Sequence, residues 1–391
     1  MQTGIVVLCL GYVLSQFFRA FLAVLSVPLA TDLGATAEDL AFASGLWFIT
    51  FAACQIPVGW ALDHIGPRRT ASVLMALGAG GGAILFSLAT GPGGINAAML
   101  LIGIGCSPIL MASYFIFARQ FPPARFATLA ALMLGIGSLG NLIASYPMAW
   151  AAETLGWRIA LAGLGGLSIL IAICIGVFLR DPERIEQSAG GSLMSVLRMP
   201  ALWLILPLML VNYAPAGAIR GLWIGPYFTD VFDLGAGQIG TAGFVMGCAM
   251  ILGSFAYGPL DRIFGTRKWA VFGGNALCAL SLFALAFFVD SAPWVAIALF
   301  ASAGFFGASF PLLLAHGRAF FPPHLAGRGV TLMNLFGIGG VGIAQFASGR
   351  FHGALAPTMD SVTLYSTLFA LFGAIVVIGL VFYAFSRDNL Q

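Results

Sequence analysis

The chain alternates long apolar runs with short polar connectors. Twelve runs stand out, at about 4–31, 39–62, 70–90, 95–117, 126–150, 158–179, 201–229, 237–259, 267–289, 294–316, 328–350 and 362–385. A membrane-spanning helix needs about 20 mostly apolar residues, so each run predicts one crossing. Gly91-Pro92-Gly93-Gly94 predicts a tight turn between the third and fourth. The first run is too long for a signal peptide, lacks a charged leader and carries an arginine, so it reads as a retained helix. The longest connector, Leu179 to Pro200, holds a charged stretch from Arg180 to Glu186 and then Gln-Ser-Ala-Gly-Gly-Ser, a flexible linker. It divides the chain into a first six-helix half (1–186), a linker (187–200) and a second half (201–391). The predicted fold class is an all-α membrane protein of twelve transmembrane helices in two pseudo-symmetric six-helix bundles.

Composition agrees with that pattern. The 391 residues are 60% hydrophobic and 8% charged, against about 25% charged in a soluble domain. Too few polar side chains exist to cover a globule, so the lipid bilayer is the expected surrounding. The net charge of +3 implies nothing about nucleic acid, and with a single lysine, Lys268, and no basic tract, no nucleic-acid partner is expected. The six cysteines all lie inside apolar runs without CxxC spacing and read as small fillers of helix interfaces. No cofactor and no resident metal are expected.

Basic residues set the expected orientation. With both termini in the cytoplasm, thirteen of the seventeen basic residues fall in cytoplasmic connectors and two, Arg158 and Arg350, on the other side. The remaining two, Arg19 and Arg220, lie within the membrane.

The halves repeat at a nearly fixed offset. Asp32-Leu33-Gly34-Ala35 recurs 201 residues on at Asp233, Phe121-Pro122-Pro123 recurs 200 on at Phe321, and Gly135-Ile136-Gly137 recurs 202 on at Gly337. The connector Gly59-Trp60-Ala61-Leu62-Asp63-His64-Ile65-Gly66-Pro67-Arg68-Arg69 has a weaker copy at Gly258 to Lys268, with Asp261, Gly265 and Arg267 in matching places. Parallel repeats of six helices are a transporter arrangement. Gly59-x-x-x-Asp63-x-x-Gly66 followed by Arg68-Arg69 resembles the signature loop of the major facilitator superfamily, and the likeness covers essentially the whole chain. His64 and Pro67 stand where that family usually carries basic residues. The resemblance implies that the loop stabilises one conformation and gates movement.

The duplication also pairs Arg19 with Arg220, each thirteen residues before its Asp-Leu-Gly-Ala. A charge at the bilayer centre costs about 2.5–3.5 kcal/mol or more. All fourteen acidic residues lie in or near connectors, so no carboxylate is available at that depth. A guanidinium matches carboxylate or phosphate oxygens as a bidentate fork, which makes an anionic substrate the expected counter-charge. Paired arginines on the first and seventh spans also resemble the organic-phosphate exchangers of the superfamily. Helical spacing places Tyr12 and Gln16 on the face of Arg19, and Tyr213, Trp223 and Tyr227 on the face of Arg220. Trp47, Tyr114, Asn141, Tyr146 and Asn334 are further polar or aromatic groups at membrane depth, for each of which helix packing is an equal alternative.

Other readings stay open. A structural role for either arginine would have it bond helix carbonyls and hydroxyls. Met246 and Met250, one turn apart, offer soft ligands for copper(I), and a neutral vitamin-like or drug-like substrate is a further alternative. The carboxylate that proton-coupled relatives carry in the cavity is not visible, and His352 reads as part of an external loop. Anion exchange or facilitated uptake therefore fits better, although a substrate carrying its own proton would give symport. A receptor or a membrane enzyme lacks support, since neither a soluble domain nor a nucleophile–base set is present. The expectation is a monomeric inner-membrane transporter working by alternating access.

Overall fold

The computed structural model describes residues 2–182, 197–322 and 325–388. Most of the predicted linker at 187–200 lies outside them. The described residues are helical and contain no strand, as a chain in lipid requires when every backbone group must be satisfied internally. Nine helices among them are long and apolar enough to cross a membrane, and two bent pairs bring the number to eleven. The one remaining run, the seventh at 201–229, is present as successive short segments.

The irregular spans are informative. The first span is Gln2–Phe17 and Leu22–Leu33, bent by 53°. Arg19 sits in the break between them. The fifth span bends by 41° between Ile143 and Tyr146. The seventh runs as a 3-10 turn Pro200–Leu204, α-helices Leu206–Asn212 and Ala214–Ala218, a π-helix Ile219–Trp223 and an α-helix Ile224–Phe232. Pro207 and Pro215 each remove a backbone donor, which favours such breaks. Arg220 lies in the π-helix. Both intramembrane arginines thus occupy departures from α geometry, where backbone groups are freed and where π turns recur at functional sites.

The eleventh span corrects one expectation. Its apolar run stops at Arg350, which placed His352 in a loop, but the helix continues as Ala326–Leu355. His352 lies inside it, 9% exposed. A charged residue ends a hydropathy run without ending the hydrogen-bonded helix.

Each signature loop closes on the end of a later span in its own half. Gly66 has φ +103°, a conformation that side chains rarely adopt, and a Cβ there would lie 2.9 Å from the Asp181 carboxylate. Asp181 accepts the Arg68 amide at 2.7 Å, at the start of the helix Pro67–Leu74. That places a carboxylate at the positive end of a helix dipole. In the second half, Asp388 accepts the Lys268 amide at 3.1 Å and the Thr266 hydroxyl, at the start of Lys268–Phe287. Burial pushes the Asp388 carboxyl up, and these hydrogen bonds outweigh it, so its pKa falls below the ordinary value. Asp63 pairs with Arg119 at 3.3 Å, whereas Asp261 pairs with Arg267 at 3.3 Å.

The chain forms two compact units. The first comprises the first six spans together with Ile224–Pro226 and Leu234–Phe244, and the second holds the rest of the later spans. Small residues let helices approach closely in membranes. Gly140 lies against the Val13 carbonyl in the first unit and Gly340 against the Leu210 carbonyl in the second, and a Cβ at either would clash.

The inner seams of the units differ. In the first, Gly11 faces Met75 and Ile109, and a Cβ on it would lie 3.3 and 3.4 Å from them. In the second, residues 201, 200 and 200 positions later are Asn212, Asn275 and Ser309. Asn212 Nδ2 donates to Asn275 Oδ1 at 2.7 Å and to Ser309 Oγ at 2.8 Å, and Asn275 Nδ2 donates to Ser309 Oγ at 2.9 Å. All three polar side chains are fully buried.

Candidate functional site

In the first unit the break in the first span turns Arg19 toward the second span. Its guanidinium carbon lies 4.9 Å from the Phe51 ring centre and 5.4 Å from that of Trp47. The two rings stack on each other at 5.0 Å, four residues apart on one helical face. Aromatic faces attract a guanidinium, but they leave its N–H groups unmet. Arg19 Nε is buried without a hydrogen-bond partner, and among the described residues no carboxylate pairs with Arg19. The indole Nε1 of Trp47 and the hydroxyl of Ser15 are buried as well, with the Cys106 thiol as their polar neighbour. Cys106 of the fourth span lies against Ser15, Arg19 and Trp47. This corner of the unit therefore presents several donors and one positive charge.

Tyr12 and Gln16 share a face as expected, with Gln16 Nε2 donating to the Tyr12 hydroxyl at 3.2 Å. Tyr114 lies within electrostatic reach of Tyr12. Asn141 is half-buried, and its carbonyl accepts the Ser145 hydroxyl at 3.2 Å. Tyr146 starts the helix after the fifth-span break and is 51% exposed.

In the second unit Arg220 is 5% exposed and neighbours Tyr213 and Cys248. Tyr213 is the positional equivalent of Tyr12, and Cys248 lies 201 residues after Trp47. The environments of the two arginines are thus related by the duplication, with a thiol in place of an indole. Gln345 of the eleventh span donates to the Ala218 carbonyl at 3.2 Å, just before the π-helix. Trp223 is fully buried and donates to Ser348 Oγ at 2.8 Å. Tyr227 is also fully buried. Its hydroxyl donates to the Val289 carbonyl at 2.6 Å, and its ring packs among Phe228, Phe300, Tyr365 and Phe369. The spacing of three and seven from Arg220 assumes α-helix, and the π turn breaks that phase. Asn334 is half-buried on the eleventh span.

Met246 and Met250 pack on Gly304 of the tenth span, where a Cβ would lie 2.9 Å from Met250 Cγ and 3.2 Å from Met246 Cγ. Among the described residues no group of three or more metal-ligating His, Cys, Asp or Glu side chains occurs.

Sequence reasoning did not find Phe51, Ser15, Cys106, Gln345 or Ser348. Phe51 was legible as the residue one turn after Trp47, and Gln345 as a polar residue inside an apolar run. Asp181 and Asp388 also carried a signal, since each follows an arginine at the end of its half's last span.

Relatives of known name are bacterial transporters. The chain is 25% identical to the "Hexuronate transporter" of Escherichia coli K12, over 95% of this chain and 92% of that protein. It is 23% identical to a "Putative tartrate transporter" of Agrobacterium vitis, over 88% of each. Other matches are partial: that with the "Uncharacterized transporter YybO" of Bacillus subtilis spans 41% of that protein at 23% identity. Among solved structures, the fold matches a D-xylose-proton symporter with TM-score 0.75 and 15% identity, over 96% of each chain. It also matches a bacterial homologue of the lysosomal transporter Spinster with TM-score 0.74 and 17% identity, over 98% of this chain and 96% of that one. The family model of the Major Facilitator Superfamily matches residues 8–345, and the chain belongs to that superfamily of membrane transporters.

Proposed function

We propose that the protein is a secondary transporter of small organic anions bearing a carboxylate, with Arg19 and Arg220 as the anion clamp. The observation that carries this reading is Arg19. It is a permanent charge within a span, held over two aromatic rings, with an unmet donor and no carboxylate partner among the described residues. A substrate carboxylate would complete it as a charge-assisted, bidentate pair. Trp47 Nε1 and Ser15 Oγ add neutral donors for further oxygen atoms on the same ligand. The names of the relatives, hexuronate and tartrate transporters, describe acids of this kind. The cycle is alternating access, in which the two halves rock about the bound anion. The signature loop, through Gly59, Asp63, Gly66, Arg68 and Arg69 and its copy at Asp261, Gly265 and Arg267, acts as the gate. The protein works as a monomer in the bacterial inner membrane with both termini in the cytoplasm.

The test is uptake into proteoliposomes of labelled hexuronate, tartrate and gallate by the parent, Arg19→Gln and Arg220→Gln. Losing a hydrogen bond to a charged group costs about 1.5–3 kcal/mol, or roughly ten- to a hundredfold in apparent affinity. That loss is expected in each variant. Normal uptake by both would remove the clamp from the mechanism.

A further inference from the structure

The second unit holds a titratable group that the anion clamp does not use. His352 is 9% exposed inside the eleventh span. Its imidazole lies between two aromatic rings, with the Trp223 ring centre at 5.1 Å and that of Tyr365 at 5.6 Å. Tyr365 belongs to the twelfth span and donates its hydroxyl to Asp230 Oδ2 at 2.6 Å. Trp223 ends the π-helix that carries Arg220. One ring therefore touches the segment holding the clamp arginine and, through Tyr365, leads to a carboxylate on the same span.

We infer that His352 is a proton-binding site that couples proton movement to transport. Histidine is the side chain whose charge changes in the physiological pH range. An imidazolium at this position has the faces of an indole and a phenol beside it, which attract a cation, and a carboxylate one hydroxyl away. A neutral imidazole fits the same space as an aromatic spacer, so both charge states have a place. The charged and titratable groups on the surrounding elements are Arg220, Tyr227 and Asp230 on the seventh span and Arg350 on the eleventh. Tyr365 and Asp360 on the twelfth, and Asp290, whose field reaches Tyr227, complete the set. Protonation adds one positive charge against the ring of Trp223, three residues after Arg220 in the same π-helix, and Trp223 transmits the change to the segmented seventh span. The imidazole takes one proton from solution on one side and returns it on the other. Only an N–H bond is made and broken, and one proton crosses per cycle with the anion.

This inference rests on the transport reading for its coupling step, while the proton site can be examined without any substrate. A protonated imidazole beside an indole quenches its fluorescence. The parent in nanodiscs should show a quenching step between pH 5 and 8, and that step should vanish in His352→Gln and in Trp223→Phe. His64 stacks on Trp60 at 4.6 Å, so all three proteins carry His64→Gln to remove that second source. A step that persists unchanged in His352→Gln overturns the site. For coupling, proteoliposomes with an inward gradient of one pH unit should accumulate labelled hexuronate about tenfold, the ratio that one proton per anion allows. His352→Gln should lose that accumulation while keeping counterflow exchange within about twofold, because exchange needs no net proton movement. Retained accumulation would refute the coupling role, and equal loss of both activities would make His352 a structural residue. If the parent transports none of the acids, the transport reading fails and the fluorescence titration alone decides the proton site.

Discussion

The two halves place the same helices around the same seam but fill it with opposite chemistry. Gly11, Met75 and Ile109 make an apolar contact in the first half, where backbone and thioether meet without directional bonds. Asn212, Asn275 and Ser309 make a buried hydrogen-bonded triangle in the second. Apolar contacts tolerate small sliding, because dispersion has no preferred angle. A buried amide network loses its stabilisation if one partner moves, since each stranded polar group then pays its desolvation. The triangle also sits where the seventh span breaks, next to Tyr213 and Pro215, and pins that break to the ninth and tenth spans. The first half has a single bend in its equivalent span and no such pin among the described residues.

The same leucine in both seams is the most severe test of this contrast. Asn275→Leu takes one of two acceptors from the Asn212 amide and a donor from Ser309, and should lower stability by about 1–3 kcal/mol. Met75→Leu conserves volume and should cost less than about 1.5 kcal/mol. Thermal unfolding in detergent compares the two, and equal shifts would erase the distinction. The signature loops give an effect no larger than that. Gly66→Ala meets both a forbidden φ and the Asp181 carboxylate, with an expected cost of about 1–3 kcal/mol. Gly265, at φ +62°, has open space around it, so Gly265→Ala should cost only about 1–2 kcal/mol. The smallest effect is expected at the aspartate pairs. Arg119→Ala removes a partly exposed ion pair with Asp63 and should change stability by less than about 1 kcal/mol. Ala319, 200 residues after Arg119, has no charge to offer Asp261, which explains why Asp261 pairs within its own loop instead. Ala319→Arg should recreate the first-half pair, measured as a double-mutant cycle with Asp261→Asn.

Much of this was legible in the sequence because membranes impose simple rules. Apolar length located the spans, and the loop glycines and the duplicated Asp-Leu-Gly-Ala set the register that pairs Arg19 with Arg220. What stayed hidden depended on contacts between distant residues or on departures from α geometry. Asn212 and Ser309 are 97 residues apart, and neither carries a local signal of the other. Trp223 and Tyr227 were assigned to the Arg220 face by a period that the π turn does not obey. His352 was misplaced because hydropathy marks where the apolar run stops, whereas the helix ends where its backbone bonds stop.

The π turn at Ile219–Trp223 also has a genetic meaning. A π turn accommodates about one residue more than the α turn it replaces, and one residue rotates everything beyond it by about 100° about the axis. The stretch carrying Tyr213 and the stretch carrying Tyr227 and Asp230 are therefore set out of phase by a single codon. Deleting that codon would swing the aromatic stretch by more than a quarter turn and leave the composition of the span almost untouched. The side chains before the turn and those after it can change along separate faces of one helix, because the π turn uncouples their orientation.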